Sequence, residues 1–234
     1  MSYKYSFDKE KCMFRRTCTG FPESCKETCI PYMKMDYAVS VAGIPEEKRF
    51  PARLTALKDV EAFSTLRQLK YNMKDFVEGG KTLLIQSPNP GNGKTTWSLI
   101  LLLSYLDRVW PSVDFETIPA MFLQTYKVFS MLKSEISADY SIQSQDEWKD
   151  IKRAIYNSKL IVWDDLASTK LTAFEKGKLL EWLEHRSLWG LSSIFTTNLI
   201  DEDLRDCLGD RLYSRIVNGS SNVVTFRNED MRGY

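Results

Sequence analysis

The chain's 234 residues leave room for one domain of ordinary size and a small appendage, and a hydrophobic share of 43% suits a globular protein rather than a disordered or fibrous one. With 32 lysines and arginines against 31 aspartates and glutamates, no global positive field draws nucleic acid, so any such contact has to come from a local patch. No run approaches the roughly 18 apolar residues of a membrane span and no basic-then-apolar leader opens the sequence, which predicts a soluble, cytoplasmic protein without a membrane partner.

Four of the five cysteines, Cys12, Cys18, Cys25 and Cys29, fall in the first 29 residues. Without an export signal their thiols are expected to stay reduced, which favours metal ligation over disulfides. The segment up to about Met35 is polar and poor in aliphatic periodicity, so it is expected to fold around these cysteines as an appendage. Zinc is the preferred ligand, with an iron–sulfur cluster or unligated thiols as alternatives. The five, six and three intervening residues match no standard zinc-finger spacing. Gly43-Ile44-Pro45 and Phe50-Pro51 then oppose regular helix and mark a join. Beyond it Leu66, Leu69, Met73, Phe76 and Val77 recur at helical spacing up to Gly79-Gly80.

From there short β-rich runs alternate with longer amphipathic stretches. The pattern predicts strands over 82–85, around Val113-Asp114-Phe115, and over 160–163, 193–196 and 222–226. It predicts helices over 94–106, 120–136, 147–156 and 173–188. Strand and helix in alternation imply an α/β fold, a parallel sheet between helices.

Between the first strand and its helix lie Asn89, Pro90, Gly91, Asn92, Gly93, Lys94, Thr95 and Thr96. Glycines let such a loop wrap closely around phosphate oxygens so that backbone N–H groups point inward, and the following helix adds its positive dipole end. Lys94 would neutralise phosphate charge, Thr95 would ligate magnesium, and Thr96 would help to hold the loop, which makes ATP and Mg2+ the expected cofactors. Pro88 stands where such loops carry their first glycine, which stiffens the entry.

The strand over 160–163 runs into Asp164-Asp165. A carboxylate at that end can hold magnesium, the role given to Asp164, while Asp165 can orient and polarise the attacking water. Asn198, after Thr196-Thr197, reads as a sensor of phosphate and water or as a turn-forming asparagine. Arg211 and Arg215, four apart, read either as surface arginines or as a finger entering a neighbouring subunit's ATP site. A groove for single-stranded DNA would need basic and aromatic residues interleaved; the diffuse candidates are Tyr126, Lys127, Phe129 and Lys133, for which the mixed face of an amphipathic helix is the preferred account.

In order along the chain, Ala42-Gly43-Ile44-Pro45, the loop Pro90 to Thr95, Leu160 to Leu166, Thr196-Thr197-Asn198-Leu199, Leu208 to Arg211 with Ser214-Arg215, and Phe226 to Gly233 carry a resemblance. The set resembles bacterial or phage replicative helicase loaders of the DnaC/DnaI type within the AAA+ ATPases. That resemblance implies an AAA+ P-loop core over 50–234 without a separate helical lid, preceded by a cysteine-rich, metal-binding, helicase-interacting module and linker over 1–49. It also implies a magnesium-dependent ATPase that engages a hexameric replicative DNA helicase and single-stranded DNA, and that forms a homo-oligomer. By the same resemblance Lys94, Thr95, Asp164, Asp165, Asn198 and Arg215 carry the chemistry, with Arg211 beside them. The competing readings are a transposition ATPase of the IstB type and a nucleotide-switched adaptor with little hydrolysis.

Overall fold

The structure, a computed structural model, describes residues 3–49, 59–137, 142–219 and 222–227. Its centre is a parallel sheet of five strands, β1 (Thr82–Gln86), β2 (Ala120–Gln124), β3 (Leu160–Asp164), β4 (Ser192–Thr197) and β5 (Asn222–Thr225), in the order β2-β3-β4-β1-β5. Helices α1 (Ile30–Val41), α2 (Val60–Tyr71), α3 (Met73–Glu78) and α4 (Lys94–Val109) pack on one face. The other face carries α5 (Thr125–Ser137), α6 (Ile142–Asn157), α7 (Ala173–Leu188), α8 (Asp201–Leu208) and α9 (Asp210–Tyr213).

Successive strand residues point to opposite faces, so each strand feeds two cores. Leu83, Ile85, Val162 and Ile194 join the core beneath α1 to α4, and Leu84, Ile161, Trp163 and Phe195 join the other. Burial on both faces is why these strands read as nearly continuous apolar runs. Trp163 lies between the rings of Trp182 and Phe195, stacked at 6.0 Å and 6.4 Å.

The second strand is not where the sequence pattern puts it. The Asp114 carboxylate accepts the backbone N–H groups of Glu116 at 2.9 Å and Thr117 at 2.7 Å, a local turn that competes with strand pairing. The strand is Ala120–Gln124, expected to open a helix; its first four residues are buried and it runs in register with β3, so tertiary burial overrides the helix preference of Ala, Met and Leu. The helix expected through Leu66 and Val77 is two helices, α2 and α3, broken at Asn72.

The N-terminal segment shares the core of the sheet. Helix α1 starts with Pro31 in its first turn and sends Met35, Ala38, Val39 and Val41 into the cluster that holds Leu83 and Ile85. Backbone bonding continues the attachment, with the Phe122 N–H donating to the Ala42 carbonyl at 2.8 Å. Phe50-Pro51, at the proposed division between 49 and 50, and residues 228–233 of the terminal motif lie outside the described residues.

Candidate functional site

The strand order sets the P-loop strand β1 and the acidic strand β3 on either side of β4, so the carboxyl ends of all three lie side by side. Open parallel sheets bind their ligands at that edge.

The loop after β1 is anchored from within. Ser87, fully buried, accepts hydrogen bonds from the Asn89 backbone N–H at 3.1 Å and from the Asn92 side-chain amide. Gly91 and Gly93 have φ of 73° and 91°, conformations that glycine alone adopts at little cost. Gly93 caps α4, whose first residue is Lys94; its Nζ turns back to donate to the Asn89 carbonyl at 3.0 Å and Asn92 Oδ1 at 3.1 Å. The ammonium group is thereby held over the loop, beside the amino-terminal end of a helix of 16 residues. The anchoring by Ser87 shows how the loop stays closed with Pro88 in place of a glycine.

The acidic pair is tied to this loop. Asp164 is 5% exposed, and its Oδ1 accepts the hydroxyls of Thr95 at 2.9 Å and Thr196 at 2.6 Å. Burial pushes the Asp164 carboxyl above its ordinary value, bonds from Thr196 and Thr95 pull it back, and neighbouring Asp165 pushes it up again. Asp165 has φ of 56°, a left-handed conformation uncommon outside glycine, and its Oδ1 accepts the Asn198 side-chain amide at 3.0 Å. The structure therefore brings together Lys94, Thr95, Asp164, Asp165 and Asn198. A buried carboxylate beside a hydroxyl is a hard-oxygen set that suits magnesium, so the residues present fit that ion.

Three residues of this site escaped the sequence reading. Ser87 anchors the loop, Thr125 at the start of α5 donates to the Asp164 carbonyl at 2.9 Å, and Thr196 bridges the two acids. Ser87, with asparagines two and five positions on, carries a usable sign of a side-chain-bonded turn. For Thr125 and Thr196 no local signal exists, because their partners are 39 and 32 residues away.

Arg211 and Arg215 lie apart from the loop. Arg211 Nη2 is 3.0 Å from Glu184 Oε1 and Arg215 Nη2 is 3.7 Å from the same oxygen. Arg215 follows α9 in a wide turn over Ser214–Asn218 and lines a cavity with Gly80, Thr82, Leu191 and Ser193, at the opposite edge of the sheet from the P-loop. Of the four DNA candidates, Phe129 is buried, Lys127 pairs with Glu147 at 2.6 Å and Lys133 with Glu175 at 2.8 Å, while Tyr126 is exposed. The amphipathic-helix account fits α5.

Cys12 is buried, Cys18 exposed, and Cys25 and Cys29 are half-buried, all as free thiols. Among the described residues no group of three or more Cys, His, Asp or Glu side chains is arranged to hold a metal ion, so the geometry does not support zinc there. Aromatic contacts hold the segment instead: Tyr3 meets Tyr37 at 5.1 Å, Phe7 meets Tyr32 at 5.1 Å and Phe14 meets Trp110 at 5.4 Å. The Tyr32 hydroxyl donates to the Ser6 carbonyl at 3.1 Å and accepts the Asp8 N–H at 3.0 Å. Among the described residues no helix is long and apolar enough to cross a membrane.

A glycine-bearing loop between β1 and α4, facing an acidic pair at the end of β3, has the layout of a P-loop core. The chain matches no protein-family model and no curated protein. Among solved structures it is similar to the DnaC helicase loader, with a TM-score of 0.57 and 22% identity, over 74% of this chain and 94% of that one. It is similar to DnaI with a TM-score of 0.57 and 17% identity, over 81% of this chain and 95% of the other. It also resembles the replication initiator DnaA bound to AMPPCP and single-stranded DNA, with a TM-score of 0.53 and 13% identity, over 76% of this chain and 49% of DnaA. At these identities the likenesses establish a shared fold.

Proposed function

We propose that this protein is an ATP-dependent loader of a hexameric replicative DNA helicase, hydrolysing ATP at the junction between its own subunits and engaging single-stranded DNA. The observation that carries the proposal is the hydrogen-bonded chain Thr95–Asp164–Thr196–Asp165–Asn198, set on a fold that DnaC and DnaI share over most of their length. The loop amides and Lys94 bind the phosphates. Asp165 accepts a proton from water and polarises it, and Asn198 fixes the direction in which the Asp165 carboxylate points. The Thr95 hydroxyl and the Asp164 carboxylate would hold magnesium, which would neutralise phosphate charge.

The test is steady-state ATP hydrolysis with and without single-stranded DNA and a replicative helicase, together with helicase transfer onto a DNA circle. A loader is expected to hydrolyse ATP, respond to both partners, and speed transfer in a nucleotide-dependent way. Stimulation by duplex DNA and a transposase instead would favour the transposition reading. Intact transfer by Asp165→Asn, with ATP binding still required, would favour the nucleotide-switched adaptor.

The cysteine-bearing segment is proposed as the face that meets the helicase. Burial pushes the Cys12 thiol up and a backbone bond from Phe14 pulls it back, while no group of three or more thiols is arranged for zinc among the described residues. Zinc binding predicts one equivalent of metal per chain in protein purified without chelator, by elemental analysis. Protein with neither zinc nor iron ends the metal reading and leaves the aromatic packing to hold the segment.

A further inference from the structure

Thr196 is 1% exposed and has a single hydroxyl proton. That proton goes to Asp164 Oδ1 at 2.6 Å, and the same hydroxyl oxygen accepts the Asp165 N–H at 2.9 Å. The Thr196 carbonyl accepts the Leu166 N–H at 2.8 Å, and the next residue, Thr197, donates its hydroxyl to the Leu166 carbonyl at 2.8 Å. Two adjacent threonines of β4 therefore grip residues 164–166 at the end of β3. Asp165, with φ of 56°, sits inside that grip. A non-glycine residue keeps such a conformation when its surroundings over-determine it, and here those surroundings are hydrogen bonds from β4.

We propose that Thr196 is a positioning residue of the nucleotide site, setting both acids through one hydroxyl. Its donor side fixes the rotation of the Asp164 carboxylate. Its acceptor side holds the Asp165 backbone and so the turn from which that carboxylate reaches Asn198. The Thr95 hydroxyl also donates to Asp164 Oδ1, at 2.9 Å, so both hydroxyls fall on one oxygen and the carboxylate meets a magnesium nucleotide already oriented. A partner of this kind, which orients a metal-binding carboxylate without touching the metal, typically changes affinity or activity by about 10- to 100-fold when removed. The inference rests on the nucleotide reading proposed above and adds to it a residue with no assigned role.

Thr196→Val keeps the shape and removes the hydroxyl, whereas Thr196→Ser keeps the hydroxyl. Binding of a fluorescent ATP analogue, titrated with magnesium and repeated in excess EDTA, gives a readout independent of turnover. Thr196→Val is expected to bind as wild type does in EDTA, to need about tenfold more magnesium for the same affinity, and to lose about 10- to 100-fold in hydrolysis. Thr196→Ser is expected to stay within about threefold of wild type on the same scale. Should the valine variant fail to fold, Thr196→Ala is read in its place. Wild-type magnesium dependence in the hydroxyl-free variant overturns the inference, as does equal impairment of the serine variant, which would make shape and not the hydroxyl the cause. A wild-type protein that binds no nucleotide overturns the nucleotide reading and this inference together, so the two failures are distinguishable.

Discussion

Lys94→Ala is expected to weaken nucleotide binding by about a thousandfold and to bring hydrolysis to background. The side chain is 7% exposed, and its ammonium group is already directed into the loop by the Asn89 carbonyl and Asn92 Oδ1. A phosphate entering the loop therefore meets a positive charge held in place. A unit charge pair about 4 Å apart at an effective dielectric of 20 is worth about 4 kcal/mol, which corresponds to roughly a thousandfold in affinity. Truncation also removes the Lys94 donor from the buried Asn92 Oδ1, a cost to the unliganded protein of about 1–3 kcal/mol. The two effects separate in a thermal melt. The variant's own midpoint should fall modestly, whereas the rise that saturating nucleotide produces in wild type, about 2.7 kcal/mol at a hundred times Kd, should vanish. Lys94→Arg should not rescue binding, because a planar guanidinium does not fit the position of a compact ammonium between those two acceptors. Unchanged affinity of the alanine variant would remove the phosphate site from this loop.

Much of this site could be read from the sequence because its parts are local. Gly91, Gly93, Lys94 and Thr95 are consecutive or nearly so, and the backbone conformation that the glycines permit is a property of that stretch alone. Asp164 and Asp165 were legible for a related reason: an apolar run buried on both faces ends abruptly in two acids, which marks the carboxyl edge of a strand. What could not be read depends on partners distant in sequence. The Thr196 hydroxyl bridges acids 31 and 32 residues earlier, and nothing near Thr196 announces it. Arg186 is a sharper case. It lies in α7 among charged residues, yet it is 1% exposed and donates to the carbonyls of Ile155 at 2.8 Å and Ser158 at 3.1 Å, and to that of Ser192. An arginine that ties a helix end and a strand start together looks, in sequence, like any solvated one.

The same limit explains the misplaced second strand. Val113-Asp114-Phe115 has a β-branched residue and an aromatic one, and Ala120–Gln124 has none of the first kind, so propensity alone ranks them the wrong way round. The decision is made elsewhere, by the vacant edge of β3, which an apolar segment can cover, and by the Asp114 carboxylate, which satisfies two backbone donors before a strand can form. In the N-terminal segment it is the aromatics that make the fixing ring contacts. Tyr3, Phe7, Phe14 and Tyr32 make the contacts that seat it, and their irregular spacing gives no period to detect.

Arg215→Ala is expected to lower hydrolysis by about 10³-fold while leaving nucleotide affinity within about twofold, the pattern of a residue that acts on the transition state from another subunit. The position of Arg215 argues for action in trans. It lines a cavity with Thr82, the first residue of β1, whereas the phosphate loop follows Gln86, the last. Five extended residues span about 17 Å, well beyond what an arginine side chain can bridge, so Arg215 cannot serve the loop of its own chain. Its present partner does not compete strongly. The Arg215 and Glu184 side chains are 53% and 38% exposed and 3.7 Å apart, and Arg211 shares the same carboxylate oxygen. An exposed ion pair of this kind contributes little, about 0–1 kcal/mol, so a phosphate with developing charge can draw the guanidinium away. The decisive experiment mixes two inactive variants. Arg215→Ala supplies an intact loop without the finger, and Lys94→Ala supplies the finger without a working loop. Mixed subunits should place a sound finger beside a sound loop at some junctions and recover a measurable fraction of the wild-type rate, rising with total protein concentration. If both variants assemble and the mixture stays as inactive as either alone, Arg215 does not work across subunits, and its pairing with Glu184 belongs to the structure of a single chain.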